Sequence, residues 1–184
     1  VIDRILRPKL SLTQLEELTP AQLRSFGIRG LLIDLDNTLL PLNVTELDSE
    51  QLSWLRSLQD GGISVCLVSN AVPKRIERAL GTIEIPYVAK ARKPFKTGYR
   101  KGLELLGLKP HECGMLGDQL FTDVFGANRL GIFSIHLRNS SPIEQKWMKG
   151  VRKVETWLMR RHDRVPSLLI PMQETPELEL FENG

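Results

Sequence analysis

Residues 31–38 read Leu31-Leu32-Ile33-Asp34-Leu35-Asp36-Asn37-Thr38, an apolar run that ends in two acids spaced two apart. The apolar part reads as a buried strand. Alternation along a strand points residues i and i+2 to the same side, so Asp34 and Asp36 are expected to leave its carboxyl end close together. Two neighbouring carboxylates repel unless a cation or a shared proton relieves the charge. In open α/β sheets, ligands bind at the carboxyl ends of the strands. Taken alone, Asp-x-Asp also describes an acidic turn after a core strand, so the flanking chain has to decide.

Outward from this stretch, apolar runs at 63–68, 86–89, 113–116 and 132–137 join the strand at 30–36. Segments with helical spacing separate them. Asp48 with Gln51 marks a capped helix start, Pro73 opens a helix, and Gly107 with Pro110 closes the helix at 97–106. Thr19-Pro20-Ala21-Gln22 offers an N-cap, a Pro at the first helical position and a capping-box Gln. Strands alternating with helices predict a parallel five-stranded sheet with helices on both faces, an α/β Rossmann-like core in three layers. The expected organisation is one domain over 1–165. It carries a helical N-terminal extension at 1–29 and a basic helix at 142–162, and a loose acidic tail follows at 166–184.

The chain has 184 residues, 41% of them apolar, and a formal net charge of +3. That charge does not suggest a general nucleic-acid binder, and no apolar run is long enough to span a bilayer. Lys and Arg crowd 90–101 and 146–164. Cys66 and Cys113 each lie in an inner strand, so both are expected to be buried, reduced thiols. Together these point to a soluble or peripheral protein on the cytoplasmic or organelle-matrix side. The sequence starts at Val1, which reads as a piece or processed form of a longer product, with any upstream targeting segment left open.

Polar groups stand at the strand ends in a definite order. Asp34, Asp36 and Thr38 come first, then Ser69-Asn70, then Lys93 in a loop, then Gly117-Asp118 and Asp123. On a parallel sheet they meet on one edge. Carboxylates, one ammonium and hydroxyls together are what phosphoryl transfer needs: a nucleophile, groups that offset charge, and donors for phosphate oxygens. Singly, each has a plainer reading: Thr38 a turn hydroxyl, Ser69 a helix cap, Lys93 a surface charge, Asp118 and Asp123 caps of the next helix.

This set, in this order over 31–123, resembles the haloacid dehalogenase-like hydrolase superfamily. The resemblance implies a Mg²⁺-dependent phosphatase. In it Asp34 is the nucleophile that forms an aspartyl-phosphate, and Asp36 is the acid and then the base. Thr38 and Ser69, with backbone amides near Leu35 and Asn70, hold phosphate oxygens. Lys93 offsets charge on nucleophile and phosphate. Asp34, Asp118 and the Asp36 carbonyl bind Mg²⁺, and Asp123 orients that shell or Lys93. A phosphorelay receiver domain shares many of these parts, but its Lys follows the last strand, whereas Lys93 precedes Asp118.

Neither 39–68 nor 70–92 leaves room for a cap domain, so the site is expected to be open, suited to substrates that bring their own bulk. The wording Asp34-Leu35-Asp36-Asn37-Thr38-Leu39, Val68-Ser69-Asn70, Ala91-Arg92-Lys93-Pro94 and Gly117-Asp118-Gln119-Leu120 is similar to subfamily IIIA phosphatases of the YqeG type. These are related to phosphatidylglycerophosphate phosphatases, which implies hydrolysis of that lipid to phosphatidylglycerol. A soluble nucleotide or sugar phosphate is the alternative substrate, and a non-enzymatic nucleic-acid or ribosome-binding module is the rival class. The implied partner is a phosphorylated lipid head group or small phosphomonoester, with peripheral contact to an anionic membrane and no nucleic acid. Trp147, Val151, Val154 and Leu158 form a stripe that reads first as a core-facing helix face, with the basic rim around it available to lipid.

Overall fold

The computed structural model describes residues 5–138. The expectations for 142–162 and 166–184 lie outside these residues. The strands, in chain order, are β1 (Leu10–Leu12), β2 (Gly30–Ile33), β3 (Ser64–Val68), β4 (Tyr87–Val88), β5 (Cys113–Gly117) and β6 (Phe133–Leu137). They form one parallel sheet in the order β1-β6-β5-β2-β3-β4. The sheet has six strands where five were expected. The sixth is β1, which pairs with β6 through Leu10↔Ile135. Three residues inside a mixed basic and apolar stretch are too few to show a period of two, so only the pairing reveals this strand.

The longer helices among the described residues are α1 (Pro20–Ser25), α2 (Ser49–Asp60), α3 (Pro73–Leu80) and α4 (Lys96–Leu106). Local chemistry sets their ends. Asp48 accepts the Glu50 and Gln51 amides, and the Gln51 side chain accepts the Asp48 amide, closing the expected capping box. Such a cap contributes about 1 kcal/mol. Thr19 caps Gln22 through its hydroxyl, but the Gln22 side chain makes no reciprocal bond and its Oε1 is left without a partner. Gly107 ends α4 with φ at 65°, a conformation glycine adopts freely.

The apolar alternation sorts cleanly into two layers. Leu31, Ile33, Val65 and Leu67 face a cluster with Leu23, Leu55, Leu58 and Ile76. Leu32, Cys66, Val68 and Met115 face the opposite one, with Tyr99, Leu103 and Ala127. Gly102 in α4 allows the close approach: an added Cβ would lie 2.8 Å from Val68 and 3.0 Å from Leu32. Cys66 and Cys113 are free and buried, and burial pushes both thiols up to about 12. No described helix is long and apolar enough to cross a membrane. Between β2 and β3 the chain holds a loop and α2, and between β3 and β4 only α3, so no cap domain interrupts these segments.

Candidate active site

The site is built where β2, β3 and β5 end and where the loop after β4 turns back. β2 lies between β3 and β5, so its carboxyl end is walled on both sides. The Asp34 amide donates to the Leu116 carbonyl at 2.9 Å, which continues the sheet spacing one residue past β2 and fixes where Asp34 stands.

Asp34 is buried. Its Oδ1 accepts the Leu35 amide at 2.8 Å and lies 2.7 Å from the Lys93 ammonium. Lys93 is also buried and donates at 2.7 Å to Oδ1 of Asp123. Asp123 is wholly buried, and its other oxygen accepts the Gln119 amide at 3.1 Å. Both Asp123 oxygens are therefore engaged within the protein, which makes it the partner of Lys93 more than a metal ligand. Gly117 provides the room, because a Cβ there would collide with the Asp123 carboxyl group. The chain around Asp123 is a π-helical turn (Leu120–Phe125) that runs on into a short α-helical turn (Gly126–Asn128). The wider turn lets the Gln119 carbonyl accept both the Asp123 and Val124 amides.

The loop holding Lys93 is tied to the end of β3. The Asn70 side chain accepts the Lys93 amide at 2.8 Å and donates to the Lys93 carbonyl at 3.4 Å. The Ala91 amide donates to Ser69 O at 2.9 Å. Asn70 thus has a visible task that its expected backbone role did not include: its amide group clamps the lysine's peptide. Ser69 is buried, and its hydroxyl accepts the Ala71 amide at 3.1 Å. Thr38, also buried, donates to Oδ1 of Asp118 at 3.3 Å.

Asp36 has a partner of its own. β2 ends at Ile33, so strand alternation does not reach Asp36. Asn37 takes a left-handed φ of 59°, which Asn tolerates, and its amide bonds to the Leu40 carbonyl. The turn leaves the Asp36 side chain against Arg75 of α3, with Nε and Nη2 at 3.2 and 3.1 Å from one carboxylate oxygen. The same guanidinium donates to the Pro41 and Val44 carbonyls. Arg75 was not foreseen. On the sequence it is one basic residue of an amphipathic helix, and nothing local marks it. His136 is the second unforeseen neighbour: from β6 its Nε2 donates to the Asp118 carbonyl at 2.9 Å.

Oxygens of Asp34, Asp118 and Asp123 lie within 4.8 Å of one another. Three carboxylates against one ammonium leave an excess of two negative charges when all are ionised. One divalent cation matches that excess, and an all-oxygen donor set suits a hard ion such as Mg²⁺. The protonation balance shows the same need. Burial pushes Asp118 up to about 7, with the Asp123 and Asp34 charges adding to it. Burial likewise raises Asp34 to about 6, although Lys93 partly offsets it. Burial opposes the Lys93 charge too, but Asp123 and Asp34 outweigh it and hold its pKa above the ordinary value.

Both carboxyl groups have folded-state pKa values above their unfolded values of about 3.9. The metal-free fold therefore binds more protons than the unfolded chain, and its stability falls as pH rises through 6 to 7. In EDTA, melting scans from pH 5 to 8 are expected to show this loss. The loss should be smaller in Asp118→Asn, which removes one titrating group. Mg²⁺ should raise the wild-type melting temperature more at pH 8 than at pH 5. A Mg²⁺ effect equal at both pH values would contradict the assignment.

Comparison with known proteins agrees with this architecture. The family model described as haloacid dehalogenase-like hydrolase matches residues 45–131. The chain is 34% identical over 118 residues to the Bacillus subtilis (strain 168) protein named "Probable phosphatase YqeG", covering 64% of this chain and 69% of that protein. Among solved structures, an uncharacterised protein from Listeria monocytogenes serotype 4b superposes with a TM-score of 0.52 at 23% identity, covering 61% of this chain and 79% of its own. A hypothetical protein from Xanthomonas campestris gives a TM-score of 0.53 at 18% identity, with 68% and 76% covered. At those identities the two structures speak for the fold alone. The Bacillus relative carries the assignment further, since the match spans more than two thirds of its length, and the chain belongs to the haloacid dehalogenase-like hydrolases.

Proposed function

We propose that this chain is a Mg²⁺-dependent phosphatase acting through an aspartyl-phosphate on phosphatidylglycerophosphate. The observation that carries the chemistry is the buried Asp34–Lys93–Asp123 arrangement, with Lys93 at 2.7 Å from both acids. A carboxylate held beside a buried ammonium, at an open sheet edge, is positioned to attack phosphorus while the ammonium offsets the incoming charge.

In this reading Asp34 attacks the phosphomonoester and the leaving alkoxide takes a proton from Asp36. Asp36 then removes a proton from the water that cleaves the acyl phosphate, returning Asp34 and releasing phosphate. Arg75 aims the Asp36 carboxylate and joins it to the loop at 41–44. Thr38, Ser69 and the amides near Leu35 and Asn70 orient phosphate oxygens. Asp34, Asp118 and the Asp36 carbonyl would hold Mg²⁺, which when bound supplies charge compensation to the phosphate and the nucleophile.

The lipid reading gains support from the surface around the site. Leu42, Val44, Val72, Phe95 and Phe121 are exposed. They lie in the loops after β2, β3 and β4 and in the turn after β5, all at the carboxyl edge. Exposed apolar side chains beside a phosphate site suit an amphiphilic substrate met at a membrane surface. The test is phosphate release with Mg²⁺ from phosphatidylglycerophosphate in mixed micelles, beside a panel of nucleotide and sugar phosphates. A kcat/KM for the lipid at least about tenfold above every soluble compound is expected. Preference for a soluble phosphomonoester would overturn the lipid assignment and keep the chemistry.

A further inference from the structure

A cavity of about 590 Å³ opens at the β4 edge, lined by the loop that also carries Lys93. The loop from β4 to α4 and the first turns of α4 line it, with Lys90, Arg92, Phe95 and Lys101 on its walls. It contains none of the acidic cluster. A larger cavity of about 910 Å³ lies elsewhere, between the 13–20 segment and α2, and its charged lining residues, Glu16, Asp48 and Glu50, are all acidic, the wrong sign for an anion.

The loop is built to present those cations. Lys90 and Arg92 both adopt left-handed backbone conformations, with φ at 46° and 55°. Residues with a Cβ seldom do so. Between them Ala91 is buried and packs against Gly98, where an added Cβ would meet the Ala91 carbonyl oxygen at 2.5 Å. The Lys90 and Ala91 amides are bonded to the Ala71 and Ser69 carbonyls, so the end of β3 fixes the loop. Lys90, Arg92 and Lys101 form no ion pair with another described residue. The neighbouring residue, Lys93, turns the other way into the acidic cluster. Arg92 and Lys93 are adjacent in the chain, so one loop carries both the cavity wall and the buried ammonium.

We propose that this cavity is a second anion subsite, which takes a non-reacting phosphate group of the substrate while its terminal phosphomonoester lies at Asp34. The proposal rests on the phosphatase reading above and adds what selects the substrate: two phosphate groups on one short spacer. Guanidinium and ammonium groups recognise phosphate oxygens through charge-assisted hydrogen bonds. Phosphatidylglycerophosphate carries such a second phosphate as its diester, and soluble bisphosphates carry it as a second monoester.

The experiment compares wild type with Lys90→Ala/Arg92→Ala and with Lys101→Glu, whose exposed helical position leaves folding unaffected. The substrates are dioctanoyl phosphatidylglycerophosphate in neutral mixed micelles, its deacylated head group, a soluble bisphosphate and an aryl phosphate. The expected result is a fall of about tenfold or more in the ratio of kcat/KM for each two-phosphate substrate to that for the aryl phosphate. The change should lie mainly in KM. Loss confined to the bisphosphate means a soluble source, and loss on the head group and lipid together means the lipid diester; both support the subsite. Loss confined to the micellar lipid means attraction to a surface and overturns it, as does an unchanged ratio. Titration with glycerophosphoglycerol, which has the diester but no monoester, separates this proposal from the phosphatase reading. Amide shifts at 90–101 that vanish in the variants support the subsite even if no phosphomonoester is hydrolysed, and no binding overturns it.

Discussion

Asp34→Asn is expected to abolish phosphate release, by on the order of 10⁴-fold or more, while the fold keeps or gains stability. The two effects have opposite signs for one reason. The carboxylate that attacks is also a charge that burial penalises. Asp34 titrates near 6, well above a solvated carboxyl group, even with Lys93 beside it. An ionised Asp34 at pH 7.5 therefore costs the metal-free fold stability, and an amide of the same shape removes that cost. Lys93 stays paired through Asp123 at 2.7 Å. The checks are phosphate release with Mg²⁺ and melting scans in EDTA at pH 7.5. Normal turnover of an aryl phosphate would sink the nucleophile assignment. A melting temperature clearly below wild type would sink the charge argument.

Lys93→Met should damage both activity and stability. Lys93 is the counter-ion that two buried acids share. Removing one partner of a buried ion pair leaves uncompensated charge and destabilises by about 3–5 kcal/mol. Methionine nearly preserves the side-chain volume, so the loss reports charge more than packing. The variant should also be most stable at low pH. Without the ammonium, the folded-state pKa of Asp34 goes higher still. The proton it holds is then favourable below the unfolded value of about 4, and that benefit is lost as pH rises through the folded value. Urea midpoints at pH 5 and 7.5 test this, and equal destabilisation at both would show that packing dominates. Activity should fall on the order of 10³-fold, because the charge that offsets nucleophile and phosphate is gone.

The strand pattern was legible because burial on both faces writes a strong signal. Leu31 to Ile33, Val65 to Val68 and Cys113 to Leu116 are continuous apolar runs, and each is a strand of the sheet. Helix starts at Asp48 and Pro73 were legible because capping depends on three or four adjacent residues. β1 was not, since three residues gain their identity only from β6. The acidic group was legible as a set, because a parallel sheet brings every strand's carboxyl end to one edge. The resemblance also set Lys93 against Asp34 and Asp123, as found, but the partner of Asp36 was not legible. The strand ends at Ile33, before Asp36, and Arg75, 39 residues on from Asp36, takes that carboxylate. Asn70 was read for its backbone amide, and its side chain instead clamps Lys93 from 23 residues away.

The sequence by itself determined the parallel α/β core and the edge on which the acids, the hydroxyls and Lys93 gather. Those follow from periods of two and 3.6 residues and from chain order, which are local properties. Tertiary structure alone decided that Arg75 pairs with Asp36, and that Lys90 and Arg92 line a cavity while Lys93 turns inward. Charge partners are chosen by distance and burial across the sheet, and neither quantity is written in the spacing along the chain.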